Sequence, residues 1–391
     1  MKKIFTTLAK IIAAFCVSLG LWEIILRALL VTPIPFVQNS QFGWMPKPHS
    51  SGTFALEGRG WSRFNEQGFR GAPVEPRRKG QIRILCLGDS YTQGAQMDEE
   101  KTYPYLLQEL LRKRALPKAR ERTRLVEPSN SSGASQAYVF NAGRDGTDLA
   151  YSVALAEPYK RLFQPDWTVV QLRDGWKELF NREQEIHYIP QGDGFRVVTR
   201  WHWFTMSRRM KQLIRWRVRD LAIFQYGKRH FTELRDGGIK VDKENETPAE
   251  PQSASSAASG TPPGAGPAPN VQIDGQQKRA IRWTVARLKT LYPRLILVHV
   301  PFGSPLLNSV VPVQAEEAVL VEECRRQGVT LIRMRTYFTQ DAARHHQAPI
   351  GFANTLPWAG HPNARGHALI AQALYDHLVP ELNQMPNPTP R

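Results

Sequence analysis

The chain has 391 residues, 41% hydrophobic and 10% aromatic, enough for a sizeable core and too apolar for a chain disordered throughout. A mean hydropathy of −0.41 excludes a multi-span membrane protein. The 52 Lys and Arg against 35 Asp and Glu leave a net charge of +17, which points to contact with something anionic.

Three cysteines, Cys16, Cys86 and Cys324, make no disulfide framework and match no zinc spacing. Lys2 and Lys3 open an apolar stretch that runs to Val31. Residues 8–31 read as one transmembrane signal-anchor, because no A-x-A site follows the apolar core and the stretch outruns a cleaved signal peptide. Glu23 and Arg27 stand four apart with the acid first, the favourable order for a pair, and lie toward the far end of the span. Lys2, Lys3 and Lys10 precede the span, so the positive-inside rule leaves the N-terminus cytoplasmic and turns the rest toward the periplasm or cell exterior.

Pro33, Pro35, Pro46 and Pro48 predict an extended lead-in over 32–80. The run RILCL at 83–87, ending at Gly88, reads as a buried strand. Apolar residues at 103, 106, 107, 110 and 111 predict a helix over 103–114. A strand at 138–141, a helix near 148–163 and a strand at 167–172 follow. The alternation then breaks at a basic helical insertion near 181–240. Its segment 206–224 carries Arg208, Arg209, Lys211, Arg215, Arg217 and Arg219, either a solvated face or a cap that touches headgroups or an anionic glycan. No nucleic-acid-binding motif accompanies it. Residues 243–270, rich in Ala, Ser, Pro and Gly, read as a disordered linker. Helices at 275–291 and 314–327 alternate with strands at 295–300 and 329–333. A last helix spans 364–379, with Asn363 as N-cap. Apolar strands separated by helices imply an α/β domain from residue 81 onward, its parallel sheet covered on both faces. Ligands of such sheets bind beyond the C-terminal strand ends, which directs attention to the loops after 87, 141, 172, 300 and 333.

The loop after the first of these strands reads GDSYTQG, 88–94. A serine on a tight strand-to-helix turn projects its hydroxyl at the sheet edge, where backbone N–H groups can hold an oxyanion. Such a nucleophile needs a base. Of the ten histidines, His361 lies on a polar loop just before the last helix, a workable position for acyl transfer. His367, inside that helix, reads as a packing or surface residue.

GDSYTQG, NAGRDG at 141–146 and HPNARGH at 361–367 together resemble the SGNH (GDSL-type) hydrolase family. The span with its E-x-x-x-R pair, followed by NEQGFRG at 65–71, is similar to the lead-in of membrane-anchored bacterial members. The resemblance covers most of 40–180 and 280–380. It implies a flavodoxin-like three-layer sandwich with a central parallel sheet, Ser90 as nucleophile and His361 as general base. It also implies Asp89 as turn former, an oxyanion hole from the Ser90 and Gly146 N–H groups, and Asn141 and Gly143 as shapers of that loop.

Two positions depart from the family pattern. The loop that normally supplies an oxyanion Asn reads QLRDGWKELF, 171–180, leaving Arg173 or a backbone N–H as donor, with Asn181 too far along. Where an Asp normally stands three residues before the histidine, this chain has Trp358. That leaves Asp145, Asp174, Asp341 or a backbone carbonyl to orient the imidazole. The implied activity is a membrane-anchored serine esterase or O-acyltransferase. Its substrate would be an ester, foremost O-acetyl, of a cell-envelope or extracellular polysaccharide. No metal, organic cofactor or nucleic acid is implied. The two departures motivate a second reading: a catalytically impaired SGNH-fold protein that binds an acidic glycan or an envelope assembly partner.

Overall fold

The computed structural model describes residues 2–28, 34–55, 57–78, 80–122, 137–182, 184–199, 273–292 and 294–384. The basic stretch 206–224 and the linker 243–270 lie outside them.

Helix α1, Lys2–Ala28, contains an apolar segment, Phe5–Ile25, of 21 residues with mean hydropathy 1.9. At about 1.5 Å per residue it measures about 31 Å, the thickness of a bilayer core. A signal sequence has the same character. Residues 29–31 and the Arg27 side chain of the expected span lie outside the described residues.

The lead-in folds as two antiparallel hairpins. Strand β1, Phe36–Asn39, pairs with β2, Gly43–Pro46, and β3, Ser51–Phe54, pairs with β4, Gly60–Arg63. The main sheet follows. Its strands are β5, Ile82–Leu87, β6, Ala137–Asn141, and β7, Trp167–Leu172. After a hairpin of β8, Ile186–Gln191, and β9, Gly194–Thr199, comes β10, Leu295–His299. After a two-residue pair, β11, Gly303–Ser304, with β12, Ser309–Val310, comes β13, Thr330–Arg333. The order is β13-β10-β7-β5-β6, parallel throughout. Numbered one to five in chain order, the five strands lie 2-1-3-4-5, the flavodoxin-like arrangement.

The connecting helices are α2, Ser90–Gln93; α3, Tyr103–Arg122; α4, Leu149–Ala154; α5, Ala156–Phe163; α6, Gly275–Leu291; α7, Ala315–Gln327; α8, Met334–His345; and α9, Ala364–Gln384. They cover both faces because the strands alternate at period two. Leu85, Leu87, Val170 and Leu297 point into a core with α4, α5, α6 and α7. Ile84, Cys86, Val169 and Ile296 point into another with α3, α8 and α9.

Several elements differ from expectation: α3 runs past 114 to Arg122, and α8 follows β13 where no helix was expected. The helix expected over 148–163 is two helices that meet at Leu155, with Pro158 in the first turn of the second, where its missing N–H costs no bond. The last helix continues through Pro380 to Gln384. Within the insertion expected to be helical, residues 186–199 form a hairpin. Tyr188 and Phe195 pack on the Trp283 ring of α6 at 5.3 and 5.8 Å, apolar burial that a solvated basic helix would not offer.

Candidate active site

The turn between β5 and α2 is shaped by close packing. A side chain at Gly88 would lie 2.2 Å from Thr92 Oγ1 and 2.5 Å from Gln171 Oε1. Asp89 is the N-cap of α2, its Oδ1 accepting the Tyr91 N–H at 2.9 Å. Ser90, 8% exposed, follows as the first helical residue. Its Oγ lies 2.8 Å from His361 Nε2.

The imidazole's other side meets a residue the sequence did not suggest. Glu57 Oε2 lies 2.5 Å from His361 Nδ1, and its Oε1 accepts the His361 backbone N–H at 2.6 Å. With a carboxylate facing Nδ1, the ring carries its proton there, and Nε2 accepts from the serine hydroxyl. Tyr91 fixes the approach, its ring edge-on to the imidazole at 5.0 Å and its hydroxyl donating to the Gly360 carbonyl at 3.0 Å. At Gly360 a Cβ would fall 2.1 Å from Glu57 Oε1, so only glycine lets the carboxylate in.

Glu57 arrives from the lead-in, and the NEQGFRG block explains how it is held. Asn65 closes a turn, its Oδ1 accepting the Gln67 and Phe69 N–H groups, both at 3.0 Å. That turn aims Arg70 at the segment after α2. The guanidinium donates to the carbonyls of Gln93 (2.9 Å), Met97 (2.6 Å), Trp61 (3.1 Å) and Gly94. Burial pulls the Arg70 pKa down to about 10. Gly60 abuts the Met97 and Ala95 carbonyls, and the Gly58 N–H donates to Asn354 Oδ1 at 2.7 Å. The β3–β4 hairpin is thus clamped between the serine segment and the histidine loop, with Glu57 at the seam.

The loop after β6 packs on α2. Asn141 Nδ2 donates to the Thr92 carbonyl at 3.0 Å and its Oδ1 accepts the Gly143 N–H at 3.1 Å. A Cβ at Gly143 would strike Gln93 N at 2.4 Å. The Arg144 N–H donates to the Gly88 carbonyl at 3.0 Å, which docks the loop two residues from the serine. Gly146 follows, exposed, at φ +74 with open space around it. Asp148, N-cap of α4, is pushed up to about 7 by burial, with Glu178 adding to the rise and Arg173 opposing it.

Arg173 stands where the loop after β7 begins. Its Nε donates to Asp89 Oδ2 at 2.6 Å, and its guanidinium lies 5.8 Å from the Tyr91 ring and 5.2 Å from the Phe302 ring. Burial works against the cation, yet the Asp89 charge and hydrogen bond leave its pKa raised. The three aspartates considered for orienting His361 do other work. Asp174 pairs with buried His299 at 3.1 Å. Asp341 pairs with Arg365 and His345. Asp145 is exposed, and its N–H donates to Gln93 Oε1 at 3.2 Å. Asn181 closes the 3-10 turn Trp176–Phe180. Trp358 is buried in the core at φ +65, its N–H donating to the Ile350 carbonyl at 2.8 Å. His367 is buried, with Nδ1 accepting the Tyr103 N–H at the start of α3 at 3.0 Å. Burial holds it neutral, its pKa down to about 3. Among the described residues no group of three or more His, Cys, Asp or Glu side chains is placed to hold a metal ion.

No protein-family model and no curated protein matches the chain. Solved structures do resemble it. LAE5, an α/β hydrolase from the metagenome of Lake Arreo, Spain, is 14% identical over 75% of this chain and 94% of its own, with a TM-score of 0.36. An acetyl xylan esterase from Geobacillus stearothermophilus is 13% identical over 76% of this chain and 94% of its own, at 0.37. The acetyl xylan esterase AlAXEase is 11% identical over 76% of this chain and all of its own, at 0.37.

Proposed function

We propose that this chain is a serine esterase or O-acyltransferase of the SGNH type, anchored in a membrane by α1 with its α/β domain on the periplasmic or outer side. The observation that carries the reading is the relay Ser90 Oγ–His361 Nε2 at 2.8 Å and His361 Nδ1–Glu57 Oε2 at 2.5 Å. A hydroxyl, an imidazole and a carboxylate in that order are the parts of a nucleophilic triad, here Ser-His-Glu. Ser90 Oγ attacks an ester carbonyl while His361 Nε2 takes its proton. Glu57 stabilises the imidazolium that forms. The tetrahedral oxyanion is received by the Ser90 and Gly146 N–H groups. Arg173, held beside the nucleophile by Asp89, supplies the positive charge in the loop where the family has its asparagine. Collapse expels the alcohol, which takes the proton from His361. Water or a sugar hydroxyl, deprotonated by His361, then releases the acyl group. The substrate class we favour is an O-acetyl ester of an envelope or extracellular polysaccharide. The impaired, glycan-binding alternative loses one of its two grounds, because Glu57 supplies the carboxylate missing before His361.

A fluorophosphonate probe tests the reading. Wild type should be labelled at Ser90 and should hydrolyse a small acetyl ester, and Ser90→Ala should do neither. An unlabelled, inactive but folded wild type would overturn it.

A further inference from the structure

Between Ala28, where α1 ends, and Ile34 there are six residue steps. At no more than about 3.6 Å per residue, they reach about 22 Å. Ile34 is buried and clusters with Phe64 and Ala95, and Ala95 comes just after the serine helix α2. Ile34 also lines a small cavity with Gln93 and Asp145, which belong to the serine helix and the Gly146 loop. That reach is the upper limit on the separation between the end of the apolar helix and the catalytic end of the sheet.

The surface at that end carries two features that the catalytic mechanism leaves unused. The first is the turn between β11 and β12, where Leu306 is 97% and Leu307 55% exposed. Solvated turns seldom carry paired leucines. The second is β4 with the residue before it, where Arg59, Trp61 and Arg63 face outward in alternation with buried Gly60 and Ser62. Arg63 has Glu99 nearby, so Arg59 and Trp61 are the pair best suited to a headgroup layer. Both features pack against the loop that bears His361: Gly58 abuts Phe352, and Gly303 abuts the Trp358 carbonyl.

We infer that the face bearing the His361 loop lies against the bilayer surface. The Leu306–Leu307 turn dips among the acyl chains and Trp61 and Arg59 sit among the headgroups. The ester is then drawn from an amphiphile in the same membrane, such as a lipid-linked acylated glycan, rather than from a polymer in bulk solution. Basic and apolar groups together bind such surfaces, and the net charge of +17 favours anionic lipid. The inference rests on the reading of α1 as an anchor and narrows the substrate of the proposed esterase.

The full chain is placed in vesicles of phosphatidylcholine with a minority of phosphatidylglycerol, in a Cys16→Ser background. An environment-sensitive fluorophore on Leu306→Cys should shift to the blue and be quenched by lipids carrying a nitroxide on the acyl chain. The same label on Glu322→Cys, exposed on α7, should not. Equal, water-like emission at both positions would overturn the orientation, whatever the enzyme's activity. Leu306→Asp combined with Leu307→Asp should leave turnover of a soluble acetyl ester unchanged. The same variant should lower turnover of a vesicle-borne ester by about tenfold, the loss expected when partial burial of two leucines is forfeited. An equal rate on the vesicle-borne ester would overturn the substrate assignment. Absence of turnover of the soluble ester by wild type would instead defeat the esterase reading, and the labelling result would stand apart from it.

Discussion

Glu57 grips His361 at two points, the ring Nδ1 at 2.5 Å and the backbone N–H at 2.6 Å, across 304 positions of sequence. One carboxylate thereby sets both the tautomer of the imidazole and the position of its loop. In the proposed mechanism a neutral replacement keeps the shape and loses the charge. Glu57→Gln should lower kcat by about 10⁴-fold, the size of the loss when a triad carboxylate was replaced by its amide elsewhere. Glu57→Asp, one methylene short, should recover part of the rate. Steady-state kinetics on a soluble acetyl ester, with circular dichroism to establish folding, provide the check. A glutamine variant within threefold of wild type would remove Glu57 from the mechanism.

Gly360 is the residue that admits this carboxylate. An alanine there would place Cβ 2.1 Å from Glu57 Oε1 at φ +76. The left-handed backbone alone costs an alanine about 1–2 kcal/mol. Gly360→Ala should therefore lose at least that much stability to urea unfolding, and it should also lose most activity as Glu57 is displaced. Full activity would mean that the Glu57 contact is dispensable.

Among the described residues, Arg173 contacts Asp89 through a hydrogen bond and the Tyr91 and Phe302 rings through its guanidinium. If its charge serves the oxyanion, Arg173→Gln should reduce kcat by about 10²–10³-fold with little change in KM, as loss of one oxyanion donor does. A rise in KM at constant kcat would assign it to substrate binding instead.

Arg70 joins the lead-in to the serine segment through the carbonyls of Gln93, Gly94 and Met97, with a fourth bond to Trp61 inside the lead-in, in a buried setting. Arg70→Met removes the donors and strands those acceptors, each worth about 1 kcal/mol or more. A loss of at least about 3 kcal/mol in chemical denaturation is expected, along with reduced activity as Glu57 loosens. A variant as stable as wild type would show that the lead-in is held by other contacts.

His367 should give stability an acid limb. Its pKa falls from 6.5 to about 3 on folding because burial excludes the charged form. The unfolded chain therefore binds the extra proton between those values. The neutral His367 contribution is complete above about pH 6.5 and is lost as pH falls toward 3, with a limiting slope of about 1.4 kcal/mol per pH unit. Unfolding of wild type and His367→Gln between pH 7 and 5 should diverge accordingly, with the variant the flatter of the two. Parallel curves would show that His367 does not set the limb.

Much of this protein is written in local pattern. The strand RILCL, the turn GDSYTQG and the histidine before α9 each depend on residues within a few positions of one another. Apolar runs, caps and obligatory glycines are short-range properties, and they sufficed to single out Ser90 and His361 and to locate the five strands along the chain, whereas the order of those strands in the sheet is a tertiary property. Glu57 was invisible for the opposite reason. It lies in a stretch with no periodicity, and nothing about a lone glutamate before Gly58 marks it as a histidine's partner. Its contact with His361 comes from Arg70 and the glycines at 58, 60 and 360, which bring a hairpin from the start of the chain against a loop near its other end. A carboxylate that orients an imidazole need satisfy only distance and angle, and sequence spacing constrains neither once the chain folds back on itself.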